Sequence, residues 1–381
     1  RHGGGHATCH TRLLGSLMME PKVSGGEGVI ETTYEFESKL GANPWLVREE
    51  EFPSIGPATS KLRFLLHYAV LAPSSHNSQP WLFRVVGDHV DVYADRTRAL
   101  PVVDPDDRGL VTSCGSAIEF LRLALRHFGY RDKTELLPDP KDPDFLARVE
   151  MAGVHRTTDA DRRLFRAILG RRTNRLPFEA RPLPGDLLAT LAEEAEVAGA
   201  HLAVSQDPPT KEAIATLIAE GDRTQLRDPS FRRELAAWIH PARSRTRDGI
   251  PGTAFGVSQV LDVVGTPTIS LVVRTFDLGK GRAATDRALA EGSPALTTVW
   301  TAGDTPRHWL VAGQALARVL LRAQDAGASA SYLNQPIEVP TLRPRLRQTL
   351  GIAGYPQMLL RLGFGPPLDP TPRRPVEETM R

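Results

Sequence analysis

The sequence predicts an α+β protein that is assembled from two repeated α/β halves. Helical and strand-like segments alternate along the chain, and residues 90–136 and 295–335 follow the same order. Each of these two segments has the pattern of a strand, then a capped helix that ends at a glycine, then an extended stretch. A chain of 381 residues with 41% hydrophobic residues is long enough for two domains or for one large duplicated domain.

The first half is predicted to contain a helix, a hairpin and a second helix. The first helix covers residues 61–72, and residues 82–95 form two strands that turn at Gly87. The second helix is predicted to be capped by Thr112 or Ser113, because these side chains can accept a hydrogen bond from the first turn.

Residues 131–160 are polar and rich in proline and aspartate, so we interpret them as a linker between the halves. The second half is predicted to contain helices at 159–170, 187–197, 211–220, 305–326 and 342–351, and strands at 201–204, 294–300 and 356–364. Residues 222–262 are less regular, and an insertion of this length in a compact fold predicts a lid over a ligand site.

Charge balance and cysteine content restrict the class of protein. The chain has 47 basic and 45 acidic residues and a formal net charge of +2, which favours neither nucleic acid nor a membrane surface as partner. The cysteines, Cys9 and Cys114, imply no disulfide framework, and we expect a cytoplasmic protein. His2, His6, Cys9 and His10 lack a second ligand cluster, so we predict no physiological metal site.

A polar elbow, residues 72–83, separates the first helix from the first strand. Two prolines restrict its backbone, and two serines and two side-chain amides offer donors and acceptors without net charge. This chemistry suits a flat, polar ligand better than a metal or a covalent intermediate, although the same residue types are typical of a connecting turn. The elbow residues that carry the prediction are Pro73, Ser74, Ser75, Asn77 and Gln79.

An arginine string follows the helix at 159–170. It consists of Arg171, Arg172, Thr173, Asn174 and Arg175. Three guanidinium groups and a hydroxyl within five residues can bind a phosphate through charge-assisted hydrogen bonds. The alternative is a solvated basic end of a helix, which is common in proteins.

The two strings together resemble the signatures of the nitroreductase superfamily. Residues 73–81 read Pro-Ser-Ser-x-Asn-x-Gln-Pro-Trp, and residues 171–175 read Arg-Arg-Thr-Asn-Arg, with Thr173 in place of the usual serine. The resemblance implies a nitroreductase-like fold with central, mostly antiparallel sheets and FMN as cofactor. Each string occurs once, in different halves, which implies an intramolecular pseudo-dimer with one flavin site, as in the Acg branch.

The resemblance also implies roles for individual residues. The elbow side chains would bond the ribityl chain or the ring edge of FMN, and the arginine string would hold its phosphate. Backbone near Leu333 and Asn334 would approach the ring, and Arg373 and Arg374 would lie near the phosphate. No side chain is required as a catalytic nucleophile, and Cys114 is interpreted as a packed residue in the first turn of its helix.

The implied activity is that of an FMN-dependent oxidoreductase that takes hydride from transiently bound NAD(P)H and reduces a nitroaromatic or quinone-like acceptor. Two alternatives remain open: a flavin-sequestering protein with a lidded site and little turnover, and an enzyme that fragments FMN. The implied organisation is a partly disordered extension at 1–55, a first half at 56–155 and a second half at 156–381. We expect a monomeric pseudo-dimer or a higher homo-oligomer.

Overall fold

A computed structural model describes residues 43–241, 246–252 and 262–381 of the chain. Most of the predicted extension, with its histidines and Cys9, therefore lies outside the described residues. The helices are α1 (Ala58–Ala69), α2 (Arg108–His127), α3 (Asp159–Gly170), α4 (Gly185–Val197), α5 (Pro208–Arg227), α6 (Pro229–Ala237), α7 (Asp262–Thr275), α8 (Gly279–Glu291), α9 (Pro306–Asp325), α10 (Gln335–Glu338) and α11 (Arg343–Leu350).

The strands form two four-stranded antiparallel sheets and one short parallel pair. They are β1 (Trp81–Val86), β2 (His89–Ala94), β3 (Tyr130–Leu136), β4 (Phe145–Val154), β5 (His201–Ser205), β6 (Ile239–His240), β7 (Ile250–Pro251), β8 (Ala295–Thr301), β9 (Ser329–Tyr332) and β10 (Tyr355–Gly363). The hairpin predicted at Gly87 is confirmed, because β1 and β2 pair in antiparallel register on either side of it.

Both four-stranded sheets have the same topology, and this confirms the prediction of two repeated halves. The first sheet has the order β1-β2-β4-β3 and the second has the order β5-β8-β10-β9. In chain order, the elements α1, β1, β2, α2, β3 and β4 match α4, β5, β8, α9, β9 and β10. The predicted linker is wrong, because residues 131–160 supply β3 and β4, which pair in antiparallel register.

Helices α2 and α9 cross at a pair of glycines. Both helices have 20 residues, and Gly115 and Gly313 each occupy the eighth position. A Cβ atom at Gly115 would lie 2.3 Å from the Leu310 carbonyl oxygen, and one at Gly313 would lie 2.0 Å from the Thr112 oxygen. Only glycine permits this approach of two backbones. The equivalent positions of the glycines are what a duplicated unit produces.

The predicted cap of α2 is wrong. Helix α2 begins at Arg108, so Thr112 and Ser113 lie inside the helix. The carboxylate of Asp104 instead accepts hydrogen bonds from the backbone nitrogens of Gly109, at 3.0 Å, and Leu110, at 2.9 Å. An acceptor from the preceding turn therefore satisfies the free N–H groups that a helix start exposes.

The two halves differ in what joins their first two strands. A tight turn joins β1 to β2, whereas residues 206–294, which contain α5 to α8, separate β5 from β8. The expectation that residues 222–262 are irregular is wrong in part, because this range includes the end of α5 and the whole of α6. The insertion places helices beside the elbow of the first half.

The C-terminal tail of the second half returns to the first half. The backbone nitrogen of Arg381 donates to the Phe83 carbonyl at 2.8 Å, and Met380 forms a parallel bridge with Phe83. This path carries Arg373 past the elbow. Within the described ranges, no helix is both long and apolar enough to cross a membrane, and no group of three or more histidine, cysteine or acidic side chains could hold a metal.

Candidate functional site

A cavity of about 270 Å³ lies where the elbow meets elements of the second half. The elbow, the start of α2, the arginine string, α5, α8 and the segment after β9 all contribute to its wall. The predicted site residues that line it are Pro73, Ser74, Ser75, Asn77, Thr173, Arg175, Asn334 and Arg373. The structure therefore brings together the two strings that lie about a hundred residues apart in the chain.

The elbow has a strained backbone. His76, Asn77 and Gln79 have φ values of 51°, 55° and 53°, in the left-handed region that side chains disfavour. The Ser74 Oγ accepts a hydrogen bond from the Gln79 backbone nitrogen at 2.9 Å and closes the elbow. Conformations of this kind persist only where the surroundings hold them, and they concentrate at functional sites.

Gln79 and Arg374 hold the elbow in place and do not line the cavity. The Gln79 side chain is fully buried, and its Nε2 donates to the carbonyl of Arg247 at 2.9 Å. Its Oε1 accepts from the Arg374 backbone nitrogen at 2.8 Å. The Arg374 guanidinium bonds to the carbonyls of Gln79 and Glu378. Both residues therefore tie the tail to the elbow.

Helix α2 supports the elbow from below. The Ser113 Oγ accepts from the Ser75 backbone nitrogen at 3.2 Å and donates to the Gly109 carbonyl at 2.7 Å. The Cys114 thiol is fully buried and donates to the Pro80 carbonyl at 3.1 Å. Burial raises the pKa of the Cys114 thiol, which disfavours a reactive thiolate and agrees with a packing role.

Four arginines, which we call the site arginines, gather beside the elbow: Arg171, Arg172, Arg175 and Arg373. Arg175 lines the cavity and makes no hydrogen bond or ion pair to any described residue. Arg171 is 3% exposed, and its Nε has no hydrogen-bond partner among the described residues. The guanidinium groups of Arg172 and Arg373 lie 4.1 and 5.2 Å from the ring centroid of Trp45.

The Arg373 side chain bonds only to uncharged oxygens. Its Nη1 donates to the Asn77 Oδ1 at 2.7 Å, the Thr371 Oγ1 at 2.6 Å and the Pro372 carbonyl at 2.9 Å. Its Nε has no hydrogen-bond partner in the part of the chain that the structure describes. The side chain is thus held firmly while its charge stays uncompensated.

Burial lowers the pKa of all four site arginines, and it brings the values for Arg172 and Arg175 to about 10. Mutual repulsion adds to this effect, since Arg171 and Arg172 lower the pKa of Arg373 further. Across residues 43–241, 246–252 and 262–381, no carboxylate forms an ion pair with a site arginine. The charges of Asp369 and Asp286 act in the opposite direction on the pKa values of Arg172 and Arg175, respectively. A bound anion would stabilise cationic groups that lie this close together.

Tyr332 lies among these arginines and was missed by the sequence reasoning. It lines the cavity, and its hydroxyl has no hydrogen-bond partner among the described side chains. Burial raises its pKa, while Arg171, Arg175 and Arg373 act in the opposite direction. Its position next to the predicted segment at Leu333 was the one available signal.

The predicted pair that follows Tyr332 divides between core and cavity. Leu333 is 2% exposed and packs in the core, and its backbone nitrogen donates to the Leu359 carbonyl at 3.0 Å. Asn334 lines the cavity, and its Oδ1 accepts from the Leu359 backbone nitrogen at 2.9 Å. Asn334 is therefore oriented by β10.

A second polar group, also missed, lies on the wall of the cavity where helices of the insertion meet α10. It comprises Asp222, Gln225, Arg282, Gln335 and Glu338. The Glu338 Oε2 accepts from the Gln225 Nε2 at 2.7 Å, and burial raises the pKa of Glu338 to about 7. These residues come from three separate helices and match no motif, so the sequence offered no signal for them.

An apolar wall closes one side of the cavity. Phe231 and Leu235 of α6 and Ile250 and Pro251 of β7 line it. The loop before β7 is fixed to the first half, because Asp248 forms an ion pair with Arg98. These residues belong to the predicted lid, and its action as a lid stays a prediction.

The fold and the cavity define a duplicated α+β protein with a cavity that is lined by the elbow of the first half and by Arg175 and Arg373. The chain is 32% identical over 330 residues to a Mycobacterium tuberculosis protein named "Putative NAD(P)H nitroreductase Rv3131", covering 85% of this chain and 92% of the relative. It is 29% identical over 338 residues to "Putative NAD(P)H nitroreductase acg" from the same organism, covering 86% and 97%.

The chain belongs to the nitroreductase superfamily, in the branch that contains Acg. No protein-family model matches it. Among solved structures, it is similar to the FMN-dependent nitroreductase NfnB of Mycobacterium smegmatis, with a TM-score of 0.39 and 17% identity, over 58% of this chain and 99% of that one.

Proposed function

We propose that this protein is an FMN-dependent oxidoreductase that passes hydride from NAD(P)H to a nitroaromatic or quinone-like acceptor. Its membership of the nitroreductase superfamily supports the class of reaction. The observation that carries the proposal is the group of site arginines, which face the elbow without a carboxylate partner among the described residues. A phosphate group is the ligand that such a group favours.

The donor set of the cavity fits the parts of FMN. Arg175 and Arg373, which line the cavity, would hold the phosphate, with Arg171 and Arg172 behind them. Ser74, Ser75 and Asn77 would bond the hydroxyls of the ribityl chain. Tyr332 and Asn334 would lie near the ring.

Bound FMN would supply the hydride chemistry, and the residues of this chain would bind it, orient it and exclude water. The apolar wall of Phe231, Leu235 and Ile250 would shield one side of the cavity from solvent. No Gly-x-Gly-x-x-Gly segment follows a strand in the sequence, so the nicotinamide donor would bind transiently at the same cavity.

The test is a visible spectrum of the full chain after reconstitution with FMN, followed by anaerobic addition of NADPH and then NADH. We expect a bound flavin spectrum that bleaches with one of the two donors and recovers when a quinone is added. A chain that binds no flavin would refute the proposal. Light scattering on the same sample tests whether one chain suffices, as a pseudo-dimer with both strings in one polypeptide predicts.

A flavin-sequestering function is the second candidate, and the apolar wall favours it. The wall is anchored to the elbow by the ion pair between Arg98 and Asp248 and by the bond from Gln79 to the Arg247 carbonyl. If the wall limits access, Asp248→Ala should speed NADPH oxidation, whereas Asp106→Ala, which changes an exposed carboxylate, should not. Slow bleaching in both variants and in the wild type would favour a donor other than nicotinamide.

A further inference from the structure

Two buried carboxylates share one side-chain amide beside the cavity. Gln335, at the start of α10, donates its Nε2 to the Asp222 Oδ1 at 3.0 Å and to the Asp286 Oδ2 at 3.0 Å. Asp222 belongs to α5 and Asp286 to α8, and they are 4% and 0% exposed. Two carboxylates held this close in a buried setting resist ionising together.

The cation beside this pair decides which carboxylate carries the charge. The Arg282 Nε donates to the Asp286 Oδ2 at 2.9 Å, so Asp286 has a direct cationic partner. Asp222 has none in the described part of the chain, and the neutral amide is the donor that it meets. The ionised member is therefore Asp286, and the proton belongs to Asp222.

The electrostatics agree with this assignment. Burial raises the pKa of Asp222, and the negative charge of Asp286 raises it further. Burial also raises the pKa of Asp286, but Arg282 opposes that effect through both its charge and its hydrogen bond, and the charge of Arg361 on β10 acts in the same direction as Arg282. A carboxylic acid that remains protonated near neutral pH can act as a general acid.

One oxygen of each carboxylate, Asp222 Oδ2 and Asp286 Oδ1, is buried without a hydrogen-bond partner in the described part of the chain, and of the two residues Asp222 lines the cavity. Buried polar atoms in folded proteins are almost always paired, so an unpaired one at a cavity wall indicates a group that meets a ligand. Asp286 does not line the cavity. As the ionised member of the pair, it accepts a hydrogen bond from Gln335 and favours the protonated form of Asp222.

We propose that Asp222 is the proton donor to the electron acceptor, with Gln335 and Asp286 as its positioning residues. This inference rests on the proposed function and names the acceptor as a ring that carries carbonyl oxygens, such as a quinone. The apolar side chains of Leu226, Phe231 and Val273 line the same cavity as Asp222 and suit such a ring.

The step balances with one hydride and one proton. Bound and reduced FMN would supply the hydride, which carries two electrons and would form an O–H bond at one carbonyl oxygen of the quinone. Asp222 would give its proton to the second carbonyl oxygen as its Oδ2–H bond breaks. The product is a hydroquinone, and solvent then returns a proton to the Asp222 carboxylate.

The other charges around Asp222 come from the elements packed on α5. Asp286 and Arg282 face it from α8, and Glu338 of α10 raises its pKa through a third negative charge. On α11, Arg345 pairs with Glu220 at 2.8 Å. On α6, the Arg232 Nη1 donates to the Leu226 carbonyl at 2.8 Å.

The first test is independent of turnover. Infrared spectra of the full chain at neutral pH, with and without FMN, should show the C=O stretch of a protonated, buried carboxyl group. In the Glu338→Gln background, which removes the other cavity carboxyl with a raised pKa, this band should persist. It should vanish on adding Asp222→Asn and remain on adding Asp106→Asn, an exposed control. Persistence of the band in the Asp222→Asn chain would refute the assignment.

The second test separates proton donation from a structural role. Reduced holoenzyme is mixed with a benzoquinone, which needs a proton, or with ferricyanide, which takes single electrons and needs none. Asp222→Asn should slow the quinone reaction by about 10²-fold or more and leave the ferricyanide reaction unchanged. Equal slowing with both acceptors, or no slowing with either, would overturn the proposal.

Asp286→Asn gives a second route to the same answer. It keeps an acceptor for the Gln335 amide but removes the neighbouring negative charge, so the pKa of Asp222 should fall. The basic limb of the quinone pH profile should then move to lower pH by about one unit. An unmoved limb would contradict coupling between the two carboxylates. If the wild type binds no FMN, the proposed function fails, and the infrared test alone still decides the protonation of Asp222.

Discussion

Two groups of buried arginines in this molecule have opposite surroundings. At the crossing of α2 and α9, the Arg318 Nη1 donates to the Glu119 Oε1 at 2.9 Å, and its Nη2 lies 2.6 Å from the Glu194 Oε2. The site arginines have no such carboxylate in the described ranges, and Arg373 bonds only to uncharged oxygens. Arg318 therefore links helices of the two halves through its carboxylate partners, whereas the site arginines are proposed to bind an anion.

The pKa values express the same contrast. Burial lowers the pKa of Arg318, but Glu119 and Glu194 outweigh that effect and raise it above its ordinary value. For Arg175, burial and the nearby Arg282 lower the pKa to about 10. A buried charge with its partners present is part of the scaffold, whereas a buried charge without them indicates a ligand site.

The largest expected effect comes from removing the unpaired charges that line the cavity. Arg175→Ala combined with Arg373→Ala should weaken FMN binding by roughly 10²- to 10⁴-fold, because two charge-assisted contacts to phosphate are lost. Titration calorimetry or flavin fluorescence quenching measures the affinity. The denaturation midpoint of the apoprotein shows whether the variant folds, since the change relieves repulsion between the arginines but also removes the hydrogen bonds from Arg373 to Asn77 and Thr371.

Arg162→Ala is the matched control for this double variant. Arg162 pairs with Asp159 on the exposed face of α3, at 2.7 Å. Its removal should leave the FMN affinity unchanged. Full affinity for FMN in a folded Arg175→Ala, Arg373→Ala chain would show that the phosphate binds elsewhere.

Breaking the paired group should have the reverse outcome. Arg318→Ala leaves Glu119 and Glu194 buried without their shared partner, and the free energy of unfolding should fall by about 3–5 kcal/mol. Urea denaturation monitored by tryptophan fluorescence measures the loss. The fraction of molecules that remain folded should bind FMN with wild-type affinity. A loss of affinity without loss of stability would contradict the division between scaffold and site.

The cavity and the ion-paired region should differ in how their stability depends on pH. Glu338, at the cavity, has a pKa raised from 4.5 to about 7 by burial. A raised folded pKa means that its favourable contribution is complete below pH 4.5 and is lost as the pH rises through about 7. The free energy of unfolding of the wild-type apoprotein should therefore fall by an amount on the order of 2 kcal/mol as the pH rises from 4.5 to about 7. The Glu338→Gln variant should not show this fall.

The ion-paired region around Asp132 should lose stability as the pH falls, and at a lower pH than the cavity. Burial raises the pKa of Asp132, but Arg122 and Arg126 offset this and hold it below the ordinary 3.8. Its contribution is present above 3.8 and is lost as the pH falls through the lower folded value. Asp132→Asn should lower the free energy of unfolding at neutral pH, because it removes this contribution. It should also flatten the acid limb of the stability profile and leave the slope in the neutral range unchanged. A variant that alters both limbs would indicate coupling between the two regions.

Much of the fold was predictable because duplicated units repeat their local signals. The matching order of strand, glycine-terminated helix and extended segment appears in the sequence, and it reappears as two sheets of identical topology. The linker prediction failed because β3 is an edge strand with alternating exposure, and its polar residues resemble a loop. The prediction of the α2 cap was wrong because the capping carboxylate, Asp104, precedes the helix by several residues.

The site was predictable where motifs carry it, and unpredictable where tertiary packing creates it. Arg175 and Asn77 line the cavity as their motifs suggested, while Gln79 and Arg374 turn inward to fix the elbow. Asp222 has no motif and reaches the cavity because the insertion between β5 and β8 folds back over the elbow. Contacts of this range depend on how helices pack, which local patterns do not encode.

The smallest expected effect is a response to inorganic phosphate, and it tests the contrast without FMN. If phosphate binds the site arginines of the native chain and not the unfolded chain, it should raise stability by roughly 1.4 kcal/mol at about ten times its Kd. A thermal shift titration against chloride at matched ionic strength measures the increment, since general screening would act equally with both salts. Arg175→Ala with Arg373→Ala should abolish it.

Arg318→Ala gives the decisive comparison for this titration. That chain should start from a lower melting temperature and still gain the full increment from phosphate, because its paired region is damaged and its site is intact. If phosphate stabilises Arg318→Ala by less than the wild-type increment, the helix crossing and the site arginines are energetically coupled. An increment that survives in both variants would place the anion outside both groups of arginines.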